Sequence, residues 1–206
     1  MKLTSFAIRT LDLIAGILLL IVFLIPILLI ALAIVLDDNG APLFRQQRVG
    51  KGCRIFTIYK FRTMRVDLDG RGAGVIKGGD ESLEEAANNF RRTEPGDKRI
   101  TRIGAILRPS HLDEIPQLLN ILAGHMSFVG VRPDTPAQQA DYSPEYWRSR
   151  HRHKPGLSGP AQLRSDPLDF SERQAEELKW LENCSMGQYL SILFRTVAKV
   201  FNRSSF

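Results

Sequence analysis

The segment LIAGILLLIVFLIPILLIALAIVL, from Leu13 to Leu36, contains 24 consecutive residues without a charge. As a straight helix it would be about 36 Å long, which is enough to cross a hydrocarbon core of about 30 Å. Pro26 lies near its middle, where a proline removes one backbone hydrogen bond and clashes with the preceding turn. The segment therefore predicts a membrane-associated helix that bends at Pro26.

Three arrangements of this apolar segment fit the flanking residues. A signal peptide would use Lys2 and Arg9 as its basic start and Ala31–Ala33 as its cleavage site, although its apolar core is usually only about 7–15 residues. A spanning helix would leave basic residues on both sides of the membrane, because Arg and Lys also follow the segment from Arg45 onward. A re-entrant hairpin with two legs of about 15–20 Å meeting at Pro26 would keep both basic flanks on one side. From these residues alone, the re-entrant and spanning arrangements both stay open.

The composition is that of a folded domain, with 44% hydrophobic and 24% charged residues in a chain of 206. The net charge of +6 indicates an anionic partner, which could be nucleic acid, an acidic membrane surface or a phosphorylated substrate. The two cysteines, Cys53 and Cys184, lie far apart, which argues against a disulfide scaffold and fits a reducing compartment.

After the apolar segment, the chain predicts short strands and helices. Leu43–Met64 indicates two strands around a glycine-containing turn, with Lys60 and Arg62 on one face. Further along, the patterns predict the following elements in order: a long loop over Val66–Lys98 with a short helix near Ser82–Phe90, a short helix over Arg99–Arg108, and a buried strand within Met126–Pro133. Arg148–Gly156 is strongly basic and predicts a solvated loop.

Two helices are predicted at the C-terminal end, each with a capping-box pattern. Ser171 with Gln174 marks the first helix, and Ser185 with Gln188 marks the second. The second helix has a broad apolar face, and a cationic stripe is formed by Arg195, Lys199 and Arg203. This pattern fits a helix in a membrane interface, and a core helix with one wet face stays open beside it.

An adjacent acid pair, Asp113 and Glu114, lies in the segment LRPSHLDEIPQLLNIL from Leu107 to Leu122. In one interpretation, Ser110 and Asp113 form a capping box and the acids only stabilise a helix start. In the other, a carboxylate at a helix start has a lowered pKa, and it ligates Mg²⁺ or attacks phosphorus. Nearby cations, Arg108 with Lys60 and Arg62, would then attract a phosphate. Because neighbouring helix residues point about 100° apart, the two acids would take different tasks.

Several motifs together resemble the bacterial sugar transferases, in the form of the small monotopic polyprenyl-phosphate phosphoglycosyl transferases. They occur in family order over nearly the whole chain: the apolar segment with Pro26, FRQQRVG (Phe44–Gly50), YKFRTM (Tyr59–Met64), ITRIGAILR (Ile100–Arg108), LDEIPQLLNIL (Leu112–Leu122), MSFVGVRP (Met126–Pro133) and KPGLSG (Lys154–Gly159). The segment Gly156–Asp166 departs from the family's usual ending, in a region where sugar recognition is plausible, so it leaves the sugar open.

The resemblance implies a fold of α+β class, mostly helical, with a re-entrant membrane helix over residues 1–38. A catalytic domain on the cytoplasmic face of the bacterial inner membrane would follow over residues 39–206, with a short β-hairpin and a C-terminal interfacial amphipathic helix.

The resemblance also implies a reaction, in which a phosphosugar moves from a UDP-sugar to polyprenyl phosphate and UMP is released. Asp113 matches the nucleophile that forms a covalent phosphosugar intermediate and binds Mg²⁺, and Glu114 matches the second acid, which would handle a proton or activate the acceptor. The cations expected to hold phosphate or nucleotide are Lys60, Arg62, Arg108 and Arg132.

Membrane lipid is an expected partner, a homodimer is compatible with the resemblance, and no nucleic-acid partner is expected. Two other classes of protein compete with this interpretation. A non-catalytic, membrane-tethered basic module would bind anionic lipid or nucleic acid, and it would need the acid pair only for stability. A secreted acid-pair hydrolase would require cleavage after Ala33.

Overall fold

The computed structural model describes residues 2–65, 97–164 and 169–201. The predicted helix near Ser82–Phe90, and nearly all of the predicted loop around it, lie outside these ranges. In chain order, the helices and strands are α1 (Lys2–Asp38), β1 (Leu43–Val49), β2 (Ile55–Phe61), α2 (Arg102–Leu107), α3 (Leu118–Leu122), β3 (Ser127–Val129), α4 (Pro144–Arg150), β4 (Gly156–Ser158), α5 (Phe170–Asn183) and α6 (Met186–Phe201). The predicted class, α+β and mostly helical, is confirmed.

Helix α1 is long and apolar enough to cross a membrane by length and composition. Pro26 lies inside it, and the helix continues on both sides of the proline without a non-helical residue. Large apolar side chains along its middle are exposed, for example Ile21, Val22 and Ile25. Because contiguous exposed apolar surface of this kind marks a membrane or protein contact, this surface of α1 is suited to lie against lipid.

The N-terminal part of α1 is attached to the rest of the protein by polar groups. The Arg9 guanidinium donates to the carbonyls of Ile121 and Leu122, at 2.6 and 2.8 Å, and so satisfies the C-terminal end of α3. Asp12 is buried and accepts a hydrogen bond of 2.6 Å from the Tyr189 hydroxyl of α6. These contacts hold α1 against two helices of the folded body.

The C-terminal end of α1 is attached to the same body. The Asp37 carboxylate accepts from the backbone N–H of Ile103 at 3.2 Å, in the first turn of α2. Asp38 forms an ion pair with Arg62, just after β2. Both polar ends of the apolar helix therefore contact one body, while large apolar side chains along its middle, such as Ile21, Val22 and Ile25, stay exposed.

The predicted hairpin is confirmed by strands β1 and β2, which pair antiparallel with Arg45 opposite Tyr59. The turn between them is a 3-10 helix (Lys51–Cys53) in which Gly52 has φ +68°, a conformation that favours glycine. The fully buried Asn120 amide of α3 accepts from Tyr59 N and donates to Thr57 O, at 3.0 and 2.7 Å. This contact fixes β2, and with it the side chain of Lys60, against α3.

The predicted buried strand within Met126–Pro133 is confirmed as β3, and it pairs parallel with β4. The pairing requires close approach at Gly130 and Gly156, since a Cβ on Gly156 would lie 2.0 Å from Gly130 N. Around this pair lies the core, which contains Phe56, Ile58, Ile121, Met126, Phe128, Trp180, Tyr189 and Ile192 among its buried members.

The prediction that Arg148–Gly156 is a solvated basic loop is wrong for its first part. Arg150 ends helix α4 and is fully buried, with ion pairs to Asp134 and Glu177. His151 is also buried. The carboxylates that pair with Arg150 come from residues outside the basic segment, so the segment alone gave no sign of burial.

The two C-terminal helices are confirmed, but the capping prediction for the first is wrong. Helix α5 begins after Asp169, which forms the capping box with Glu172 in place of Ser171 and Gln174. In α6 the Ser185 hydroxyl accepts from Gln188 N at 3.3 Å, as expected for a cap.

The broad face predicted for α6 divides into a buried and an exposed part. Tyr189 is buried in the core, whereas Phe194 and Val197 are exposed. In the predicted cationic stripe, Arg195 is exposed and Lys199 donates to backbone carbonyls near the 3-10 helix (Ala161–Leu163), while Arg203 lies outside the described residues.

Candidate active site

The acid pair lies in a 3-10 helix (Leu112–Gln117) that runs directly into α3. The turn before it contains His111 in the left-handed region, with φ +54°. The predicted capping box between Ser110 and Asp113 is wrong, because the Ser110 hydroxyl donates back to the carbonyls of Ile106 and Leu107, at 3.0 Å each. A role of Asp113 in that capping box is thereby removed.

Glu114 is held by two cations from distant parts of the chain. Its Oε1 accepts from Lys60 Nζ at 2.6 Å and from Arg132 Nη2 at 3.0 Å. Burial opposes ionisation of Glu114, but the charges and hydrogen bonds of Arg132 and Lys60 outweigh it and lower the pKa to about 2. Glu114 is therefore an ionised anchor for both cations at neutral pH.

Asp113 differs from Glu114 both in its partners and in the direction of its pKa shift. Within residues 2–65, 97–164 and 169–201, its carboxylate has no hydrogen-bond or ion-pair partner, although it is partly buried. Burial raises the pKa of Asp113, and the charge of Glu114 adds to this effect, against the opposing charge of Lys60. The expectation that a helix start lowers this pKa is wrong, because desolvation outweighs the favourable charges around it.

The cations around Glu114 form a small cleft with Arg48, which the sequence interpretation did not assign to the site. The cleft is lined by Arg48, Lys60, Glu114 and Arg132 together with the buried Gln117. Burial, and then the charge of Arg132, lower the pKa of Arg48 to about 10. Its Nε is buried and has no partner in the described part of the chain. The signal that could have identified Arg48 is its place in the FRQQRVG motif.

Two of the predicted phosphate-binding cations lie outside this cleft. Arg62 is paired with Asp38 at the end of α1, so it does not share a partner with Lys60. Arg108 follows α2, and its positive charge opposes the rise in the pKa of Asp113 that burial causes. In the structure, Lys60 and Arg132 both bind Glu114, and Arg108 lies near Asp113. Arg62 instead pairs with Asp38 at the end of α1.

Buried Arg150 holds the backbone of Arg132, one of the residues that line the cleft. Its Nη2 donates to the backbone carbonyl of Arg132 at 3.0 Å, while the same guanidinium pairs with Asp134 and Glu177. Burial lowers the pKa of Arg150, but the two carboxylates outweigh it and keep the group charged. Arg150 is therefore a positioning residue for Arg132.

The donor set for the predicted Mg²⁺ is small. No group of three or more His, Cys, Asp and Glu side chains with metal-ligand proximity occurs in the described ranges. Glu114 accepts from two cations through Oε1, whereas neither carboxylate oxygen of Asp113 has a hydrogen-bond partner among the described residues. One carboxylate is a donor set that fits Mg²⁺, because this ion usually keeps several waters and takes its other ligands from substrate phosphates.

Comparison with known proteins gives consistent matches. The family model described as bacterial sugar transferase matches residues 3–203. An exopolysaccharide production protein of Rhizobium leguminosarum bv. phaseoli is 38% identical over 95% of both chains. A UDP-glucose:undecaprenyl-phosphate glucose-1-phosphate transferase of Caulobacter vibrioides is 38% identical, over 92% of this chain and 67% of its own length.

A third relative is larger than this chain. The undecaprenyl-phosphate glucose phosphotransferase of Komagataeibacter xylinus is 36% identical over 96% of this chain, which spans 36% of that protein. The family model covers nearly all of the present sequence, including the acid pair and both cations that hold Glu114. The chain therefore belongs to the bacterial sugar transferase family and is an enzyme of that family, as its motifs predicted.

Proposed function

We propose that the protein transfers a phosphosugar from a UDP-sugar to polyprenyl phosphate and releases UMP. The observation that carries the proposal is the contrast within the acid pair, in which Glu114 is bound by two cations and Asp113 keeps free carboxylate oxygens. Two relatives support the substrate class by their names, a UDP-glucose:undecaprenyl-phosphate glucose-1-phosphate transferase and an undecaprenyl-phosphate glucose phosphotransferase.

In the first step, an Asp113 oxygen attacks the sugar-bearing phosphorus of the UDP-sugar. A bond forms between that oxygen and phosphorus, the bond from phosphorus to the bridging oxygen breaks, and UMP leaves with the bridging oxygen. The product on the protein is an aspartyl phosphosugar. Burial of Asp113 supports this role, because a poorly solvated carboxylate reacts without first losing a full shell of water.

In the second step, a phosphate oxygen of polyprenyl phosphate attacks the same phosphorus. The bond to Asp113 breaks, the carboxylate is regenerated, and the lipid leaves as a polyprenyl diphosphate sugar. Arg48, Lys60 and Arg132 line the cleft beside Glu114, and they are placed to hold phosphate oxygens during both steps. Since a pKa of about 2 makes Glu114 a weak proton carrier, we assign it the role of orienting Lys60 and Arg132.

Mg²⁺, bound by Asp113 and the substrate phosphates, would supply neutralisation of pyrophosphate charge. The residues of the chain contribute the remaining electrostatics through Arg108 near Asp113 and the three cations of the cleft.

We further propose that α1 enters the membrane and returns to the same side, with the catalytic body at the cytoplasmic face of the bacterial inner membrane. The support is that Arg9 at one end and Asp37 at the other both bind the one folded body. A spanning helix would place these polar ends on opposite sides, about 40 Å apart in a straight helix. The exposed side chains of Phe194 and Val197 in α6 would lie in the interface between membrane and water.

The reaction is tested by measuring UMP release from detergent-solubilised protein with Mg²⁺ and a panel of UDP-sugars that includes UDP-glucose. We expect one UMP per protein without lipid, turnover with polyprenyl phosphate, and loss of both in Asp113→Asn. Turnover without a burst would argue against a covalent intermediate. A folded protein that releases no UMP with any donor would instead favour a non-catalytic module, for which a basic surface and a membrane helix suffice.

The topology is tested by placing single cysteines at Thr4 and Asn39, which flank the apolar part of α1, in a background that lacks Cys53 and Cys184. An impermeant thiol reagent applied from outside to intact spheroplasts should label neither position, and inverted vesicles should label both. Labelling of one position from each side would show that α1 spans the membrane.

A further inference from the structure

A cavity of about 760 Å³ lies beside the N-terminal part of α1, away from the acid pair. Its wall is built by Ile8 and Arg9 of α1, residues 152–154 after α4, and Trp180 of α5. No residue that lines it also lines the cleft around Glu114. Its volume is in the range of cavities that hold small organic ligands, roughly 300–1,000 Å³.

The charge of this cavity is strongly positive. Four cationic side chains line it, from Arg9, Lys51, Arg152 and Lys154. Asp12 is also in the wall, but its Oδ1 already accepts hydrogen bonds from Ser127 Oγ, Phe128 N and Tyr189 Oη. Within the described ranges, Lys51, Arg152 and Lys154 have no ion-pair partner. The cations therefore face the cavity without a matching set of free acids.

The cations that line this cavity also repel one another. Burial, and then the charge of Arg9, lower the pKa of Lys154, with a further contribution from Lys51. A bound anion would relieve the repulsion among these cations.

We propose that this cavity binds a phosphate-bearing anion, with Lys51, Arg152 and Lys154 as charge partners. A compact, multiply charged group with several acceptor oxygens matches three cations better than a lone carboxylate does. Two sources of such a group are within reach: the headgroup of an anionic phospholipid, because the cavity adjoins α1, and the phosphate of a soluble molecule. The proposal does not depend on Asp113 or on the transfer reaction.

The test measures binding through the fluorescence of Trp180. The chain has two tryptophans, so a Trp147→Phe background leaves Trp180 as the single reporter. Inorganic phosphate is titrated into the full chain in detergent. In a second arm, the chain is placed in nanodiscs of phosphatidylcholine, with and without phosphatidylglycerol. We expect a shift of Trp180 emission in one arm, with about tenfold weaker binding in Lys154→Gln because one charged hydrogen-bond donor is lost.

The matched control is Arg148→Gln, which removes the same charge from a side chain that is 71% exposed and does not line the cavity. It should bind like the parent, and so should Asp113→Asn, which separates this site from the reaction. A response to phosphate in detergent assigns a soluble phosphate group, and a response only to phosphatidylglycerol assigns a lipid headgroup.

No shift in either arm, or equal affinity in Lys154→Gln and Arg148→Gln, would overturn the proposal. If Trp147→Phe does not fold, the same variants are compared in the chain with both tryptophans. The readout is then the rise in melting temperature that phosphate or phosphatidylglycerol produces, with the same outcomes.

Discussion

Exchanging each acid of the pair for its amide should lower stability at Glu114 and abolish UMP release at Asp113. In Glu114→Gln, the carboxylate that accepts from Lys60 at 2.6 Å and from Arg132 at 3.0 Å is lost. The fall in the pKa of Glu114 from 4.5 to about 2 corresponds to about 3 kcal/mol of stability at neutral pH. For a chain of this size, that loss lowers the melting temperature by about 6–12 °C.

Asp113→Asn is the matched comparison, because it makes the same chemical change at the adjacent residue. Burial raises the pKa of Asp113, so its ionised form is disfavoured in the folded state and the amide should cost no stability. The same variant should abolish UMP release. A stable but inactive Asp113→Asn beside a destabilised Glu114→Gln is the result expected of a nucleophile next to a structural anchor.

The assay is urea unfolding in detergent, followed by circular dichroism at several pH values. Because the folded-state pKa of Glu114 lies below its unfolded value, its contribution is fully present above about pH 4.5 and is lost as pH falls toward 2. Glu114→Gln should remove this part of the pH dependence. Equal destabilisation by both amides, or a larger loss in Asp113→Asn, would refute the assignment of roles.

Two further predictions concern the scaffold that holds the site. Arg150→Met should destabilise the protein by about 3–5 kcal/mol, because it leaves two buried carboxylates without their cation. Arg148→Met on the exposed face should change the free energy of unfolding by less than about 1 kcal/mol. Urea unfolding of the two variants checks this, and similar values for both would contradict it. Gly104→Ala should lower the melting temperature and weaken UMP release. The added Cβ would lie 2.1 Å from the carbonyl oxygen of Thr63 and push α2 away from the segment that follows β2. A melting curve that matches the parent would show that the close contact is not needed.

Much of the architecture follows from local patterns. The apolar segment gives α1, the alternating residues around Gly50–Gly52 give the hairpin, and Ser185 marks the start of α6. These features depend on residues close in sequence, whose hydropathy and backbone preferences act without the rest of the fold. Capping was less predictable, because Ser110 bonds back to the preceding turn and because Asp169, two residues before Ser171, caps α5 instead.

The sequence by itself determined the family, the position of the acid pair and the membrane-associated helix. Only the tertiary structure decided which acid is bound by cations and which is free of them. The partners of Glu114 lie 54 and 18 residues away, at Lys60 and Arg132, and they reach it because Asn120 fixes β2 and Arg150 supports the backbone of Arg132. The pKa of a carboxyl depends on burial and on charges within a few ångströms, and neither is present until distant segments of the chain have packed together.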